Sequence, residues 1–258
     1  MAYWNGRAWQ LSQAPVFVAA PPKPPYPTLP LAAAVGALIA VILPLIGSRL
    51  VTAALADLDW PIAVLVAISA TIGYGPSLVW CWYATRRWGT GHFFRDIGLQ
   101  ARWSDFGWGP LTYLCCFGGQ AIAGIVVAIL RIPVESNIGE ADDIDRTYVI
   151  TILILAVIIA PIAEEIIFRG VVLRGFRSVM PAAPAVIAQA VIFGSVHFDP
   201  ALGAGNIGLI IILSTVGGVL GGAAYLFRRI VPSMIAHGIL NTIALTLALT
   251  GVLDRVSS

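Results

Sequence analysis

Apolar runs long enough to cross a bilayer alternate with short polar stretches along this chain. A hydrocarbon core of about 30 Å takes about 20 helical residues, and apolar runs at 31–46, 60–83, 109–130, 148–173, 185–198, 209–227 and 231–249 approach or reach that length. The first is short and broken by Pro44, so its end is expected to run on towards Leu55. The second is interrupted by Gly73, Gly75 and Pro76, and the fifth is short. The pattern predicts an all-α, polytopic membrane helix bundle of about seven transmembrane helices.

The polar stretches divide the chain. Residues 1–30 are a Pro-rich tail whose PPKPPYP segment favours polyproline II, and a disordered cytosolic tail is expected. Residues 31–94 hold the N-terminal transmembrane helices, 95–250 the core, and 251–258 a short C-terminal tail. Within 84–108, FRDIGLQARWSDFGW reads as an interfacial amphipathic segment with Trp103 and Trp108 as headgroup anchors. The stretch 131–147 carries Glu135, Glu140, Asp142, Asp143 and Asp145; the spacing matches no calcium loop, and a solvated external loop is expected. Gly217, Gly218, Gly221 and Gly222 form a doubled small-xxx-small pattern that lets a neighbouring helix approach closely.

Charge orients the bundle. Arg7, Lys23, Arg86, Arg87, Arg95, Arg102, Arg174, Arg177, Arg228 and Arg229 share one side, and Arg49, Arg131, Arg146 and Arg255 the other, with most of the acids. The positive-inside rule then places the N-terminus in the cytoplasm and the C-terminus outside. The compact, arginine-rich chain points to a bacterial cytoplasmic membrane. Only 11% of the residues are charged, against about 25% in a soluble domain, and the mean hydropathy is +0.89. The lipid bilayer is therefore the first partner. A net charge of +2 without a basic, aromatic-interleaved cluster argues against nucleic acid. Cys81, Cys115 and Cys116 all lie in apolar runs and read as packing residues. Nothing in the pattern fixes an oligomeric state.

The run at 148–173 contains what an apolar helix should exclude: Glu164 and Glu165, with Arg169 one turn on. Charge at membrane depth costs about 2.5–3.5 kcal/mol per residue on insertion scales, so such a cluster is a functional candidate. Glu165 and Arg169 are i,i+4 and can pair. Glu164 points about 100° away around an α-helix and is the freer carboxylate. Pro161 leaves the Val157 carbonyl without its helical partner. Two histidines lie in apolar runs: His197 closes VIFGSVH, and His237 shares a face with Asn241. Glu165 precedes Pro181 by the same interval at which His197 follows it, so a helical hairpin about Pro181 brings the two level. A carboxylate at low dielectric becomes a useful base near neutral pH. A histidine can position the same water, and a second histidine with an asparagine can donate to an oxyanion. That set suits hydrolysis of an amide or ester.

The order Glu164-Glu165-x-x-x-Arg169, Phe193-x-x-x-His197, His237-x-x-x-Asn241, on separate apolar helices, resembles the three-motif signature of the CAAX protease and bacteriocin-processing family, the Abi or Rce1-like intramembrane endopeptidases. The resemblance covers about 95–245, with DIGL at 96–99 as a lead-in. It implies an Rce1-like fold in which Glu164 and His197 activate water, His237 and Asn241 stabilise the oxyanion, and Glu165, Arg169 and Phe193 support the site. It implies cleavage near the C-terminus of a membrane-bound protein or peptide. The family has been described as metalloprotease and as glutamate-dependent protease. The metal-free form is preferred here; were zinc present, Glu164, His197 and His237 would be its ligands. Two alternatives come from other classes: a non-enzymatic membrane adaptor or bacteriocin-immunity protein, and a proton-coupled transporter using Glu164 and Glu165. No half-to-half repeat supports a transporter, and it leaves His237 with Asn241 unexplained.

Overall fold

A computed structural model describes residues 2–4, 6–11, 28–55, 60–135 and 146–250. Most of the Pro-rich tail, Glu140, Asp142, Asp143 and Asp145 of the acidic loop, and the tail at 251–258 lie outside the described residues. Where the tail was expected to be disordered, Ala2–Trp4 (β1) and Trp9–Leu11 (β2) pair as an antiparallel hairpin.

The rest is helical. Among the described residues six helices are long and apolar enough to span: α1 (Leu31–Leu55), α2 (Ile62–Trp88), α4 (Asp105–Ile129), α5 (Arg146–Phe176), α7 (Gly205–Phe227) and α8 (Val231–Leu249). The four-residue α3 (Phe93–Asp96) lies between α2 and α4. The fifth expected span is instead a 14-residue helix, α6 (Ala182–Ser195). At 1.5 Å per residue it rises about 21 Å, short of a bilayer core. Even so, the chain keeps its alternation between two ends. At one end Leu29 N–H donates to the Arg174 carbonyl and Ile230 N–H to the Gly98 carbonyl, while Arg229 Nε donates to Asp105 at 2.8 Å. At the other, Gly208 N–H donates to the Pro133 carbonyl. The connection at 196–204 therefore completes the passage that α6 begins.

The lead-in at 96–99 acts at the first end. Asp96 accepts from the backbone N–H and the hydroxyl of Thr90. Ile97 is fully buried against Gly170 of α5. Trp103 stays 89% exposed, as an interfacial anchor would be.

α5 is the central post, buried without interruption from Ala163 to Phe176. Around it, α1, α2 and α4 turn Ile, Leu, Val and Phe outward, the face a bilayer would cover. α6 and α7 pack tightly because Gly217 and Gly221 share a face; a Cβ at Gly217 would stand 3.2 Å from the Ala190 backbone, whereas Gly222 meets nothing within 4 Å. One small-residue stripe is used, not two. Cys81 and Cys116 pack inside, but Cys115 is exposed, a correction to its reading as a packing residue.

Candidate active site

α5 is not a uniform α-helix. Leu155–Ile159 and Glu165–Val172 are π-helical, and they bracket the α-helical turn Ala160–Glu164. Such wide turns are rare and concentrate at functional sites. Proline explains the first. Ala160 N–H donates to the Leu155 carbonyl, so Ala156 is next in line, and its π-partner is Pro161, which has no N–H. Ala156 is thus left without a helical donor as well as Val157, the carbonyl that α-helical spacing names. Asn241 Nδ2 supplies the missing donor at 2.8 Å. One N–H of the expected oxyanion amide is thereby committed to tying α8 to α5.

The two glutamates occupy different surroundings. Glu165 is fully buried, and Arg169 Nη1 lies 2.9 Å from its Oε1. His237 Nδ1 lies 3.2 Å from the same oxygen. Arg169 Nη2 donates to the Gly217 carbonyl at 3.2 Å, and Gln189 Nε2 donates to that carbonyl at 2.8 Å, so one acceptor joins α5, α6 and α7. Glu164 is 8% exposed. Its Oε1 accepts from the Tyr74 hydroxyl of α2 at 2.6 Å. Its Oε2 has no hydrogen-bond partner among the described residues and lies 3.7 Å from His237 Nε2. His237 therefore stands between the two carboxylates.

Phe193 is the hub beneath them. Arg169 lies over its ring at 4.4 Å, Phe168 meets it edge-on at 5.2 Å, and the rings of His197 and His237 lie 5.0 and 5.9 Å away. The Phe168–Phe193 contact sets the α5–α6 register, and by that register His197 stands level with Glu164, one residue from the Glu165 that equal spacing about Pro181 gave. His197 Nδ1 lies 2.8 Å from the Phe193 carbonyl. A carbonyl only accepts, so Nδ1 carries the proton and Nε2 is the acceptor in the neutral ring. Among the described residues His197 makes no hydrogen bond or ion pair with either glutamate.

The structure thus joins Glu164, Glu165, Arg169 and His237 directly, and His197 through Phe193; Asn241 sits one turn from His237. Among the described residues no group of three or more His, Cys, Asp and Glu is placed to hold a metal ion, Glu164, His197 and His237 included. Two residues escaped the sequence reading. Tyr74 is a phenol in mid-span, which calls for a partner; Gln189 is an amide inside an apolar helix, which calls for one too.

Residues 146–243 match the family model described as type II CAAX prenyl endopeptidase Rce1-like. That stretch is similar to the family. The match is narrower than the expected 95–245 and holds all three motifs. The Rce1-like family is one of CAAX-type intramembrane endopeptidases, so the likeness supports an intramembrane protease in general, and six apolar helices among the described residues support an integral membrane protein. No curated protein and no solved structure matches the chain significantly. Tyr74 lies outside the Rce1-like domain, so part of the Glu164 environment comes from a preceding helix.

Proposed function

We propose that the chain is an endopeptidase that hydrolyses a peptide bond of a membrane-associated protein or peptide, with Glu164 as the base that activates water. The observation that carries this is a nearly buried carboxylate with one oxygen held by Tyr74 and the other unpartnered, 3.7 Å from His237 Nε2. That separation is too long for a direct hydrogen bond and suits a shared water.

The two histidines divide the work. His197, with its proton on Nδ1, offers Nε2 as an acceptor that orients the water. His237 donates from Nδ1 to Glu165 and turns Nε2 towards Glu164 and the oxyanion. Glu164 Oε2 takes a proton from water as its oxygen bonds to the scissile carbonyl carbon. His237, and the second N–H of Asn241, stabilise the resulting oxyanion. Collapse breaks the C–N bond, and Glu164 returns the proton to the leaving amine. No step needs a metal. Turnover of the detergent-solubilised protein on a membrane-peptide library is expected to be unchanged after exhaustive chelation and lost in Glu164→Gln. Activity abolished by chelation and restored by zinc would overturn the metal-free form.

Access is lateral in this reading. Two neighbouring hollows of about 400 and 490 Å³ share Ala67, Thr71 and Thr151, lie between α2 and the first half of α5, and reach Tyr74. Their walls are almost wholly apolar, which suits a substrate segment arriving from the bilayer. Ala70→Phe fills this groove away from the carboxylates. It is expected to raise KM at least fivefold while lowering kcat far less, read from steady-state kinetics on one cleaved peptide.

A further inference from the structure

Glu164 is usable as a directional base only if something decides which of its oxygens faces the water. The carboxylate torsion is soft and roughly two-fold, so an unrestrained side chain would exchange its oxygens and swing. Nothing within α5 restrains it. The one hydrogen bond that Glu164 accepts from the described residues comes from Tyr74, at 2.6 Å and from a helix outside the Rce1-like domain. The same tyrosine lines the inner end of the apolar groove between α2 and α5. Its hydroxyl meets the base and its residue forms part of the groove wall.

We propose that Tyr74 is a positioning residue for the hydrolytic reaction, holding Glu164 Oε1 so that Oε2 faces His237 and takes the proton from water at the inner end of the groove. This rests on the reading of Glu164 as the base. A phenol suits the task. It donates one short bond to an ionised acceptor, and such charge-assisted bonds are stronger than neutral ones. Its ring gives the hydroxyl a rigid mount on a spanning helix.

Tyr74→Phe keeps the ring and removes the bond. In the full-length protein it is expected to lower kcat about tenfold with KM within twofold, a split that a general loosening of α2 would not give. An unchanged kcat in Tyr74→Phe, beside an inactive Glu164→Gln, would overturn this inference alone. Equal cleavage by wild type and Glu164→Gln would overturn the base reading and with it this one. A stability cycle separates bond from packing. Tyr74→Phe is expected to raise the unfolding constant about tenfold in the wild type, in line with a bond to a charged group, and to have little effect in a Glu164→Leu background. The same loss in both backgrounds would show that Tyr74 serves packing and would overturn the proposal.

Discussion

Glu164→Gln is expected to lower kcat by about 10³-fold, the middle of the range for loss of a general base, with KM and folding nearly preserved. Glutamine has the shape of glutamate, and its carbonyl oxygen can still accept from Tyr74, now at 2.6 Å from Glu164 Oε1. What disappears is a site for the proton of water. The unpartnered Oε2 becomes either an amide N–H₂ or, if the amide turns over, the oxygen without Tyr74. Neither accepts a proton near neutral pH. Steady-state kinetics on a single cleaved peptide, with thermal unfolding as a control, would show the loss. Turnover within tenfold of wild type would remove Glu164 from the role of base.

The neighbouring glutamate should behave in the opposite way. Arg169→Met is expected to destabilise the protein by about 3–5 kcal/mol, because it leaves Glu165 charged and dry. Both side chains are fully buried, and the pair closes at 2.9 Å. His237 at 3.2 Å cannot replace the guanidinium, since it also faces Glu164. Removing the second charge as well should restore much of the loss. The double variant Glu165→Gln with Arg169→Met leaves the Gly217 carbonyl its bond from Gln189, so that acceptor is not orphaned. Unfolding of the wild type, Arg169→Met, Glu165→Gln and the double variant in detergent, read as a thermodynamic cycle, would show strong non-additivity. Additive losses would mean that the ion pair contributes nothing beyond its two parts.

Much of this was legible in the sequence because membrane depth makes charge conspicuous. Glu164, Glu165, Arg169, His197 and His237 stand out in apolar runs, and their i,i+4 spacings name the faces that meet. Equal spacing about Pro181 comes within one residue of the register that Phe168 and Phe193 set. Three features were not legible. The end of α6 at Ser195 hides because an apolar run does not announce where the helix stops, and 196–204 continues the passage through turns and one short 3-10 turn at Pro200–Leu202. The π-turns hide because periodicity arguments assume 3.6 residues per turn; only Pro161, which lacks an N–H, hinted at them. Tyr74 hides because its meaning depends on a residue 90 positions later.

The pairing of Glu165 with Arg169 inside one helix has a consequence for how the chain is made. Synthesis runs from the N-terminus, so α5 is delivered to the bilayer before α8 exists. A segment carrying two bare carboxylates would be a poor candidate for insertion. This one brings its own counter-ion one turn away, and Tyr74 has already been synthesised when Glu164 emerges. His197 on the far side of the hairpin, and then His237 and Asn241, arrive afterwards. The last helix thus completes the chemistry of a segment whose electrostatic balance was largely set before that helix left the ribosome.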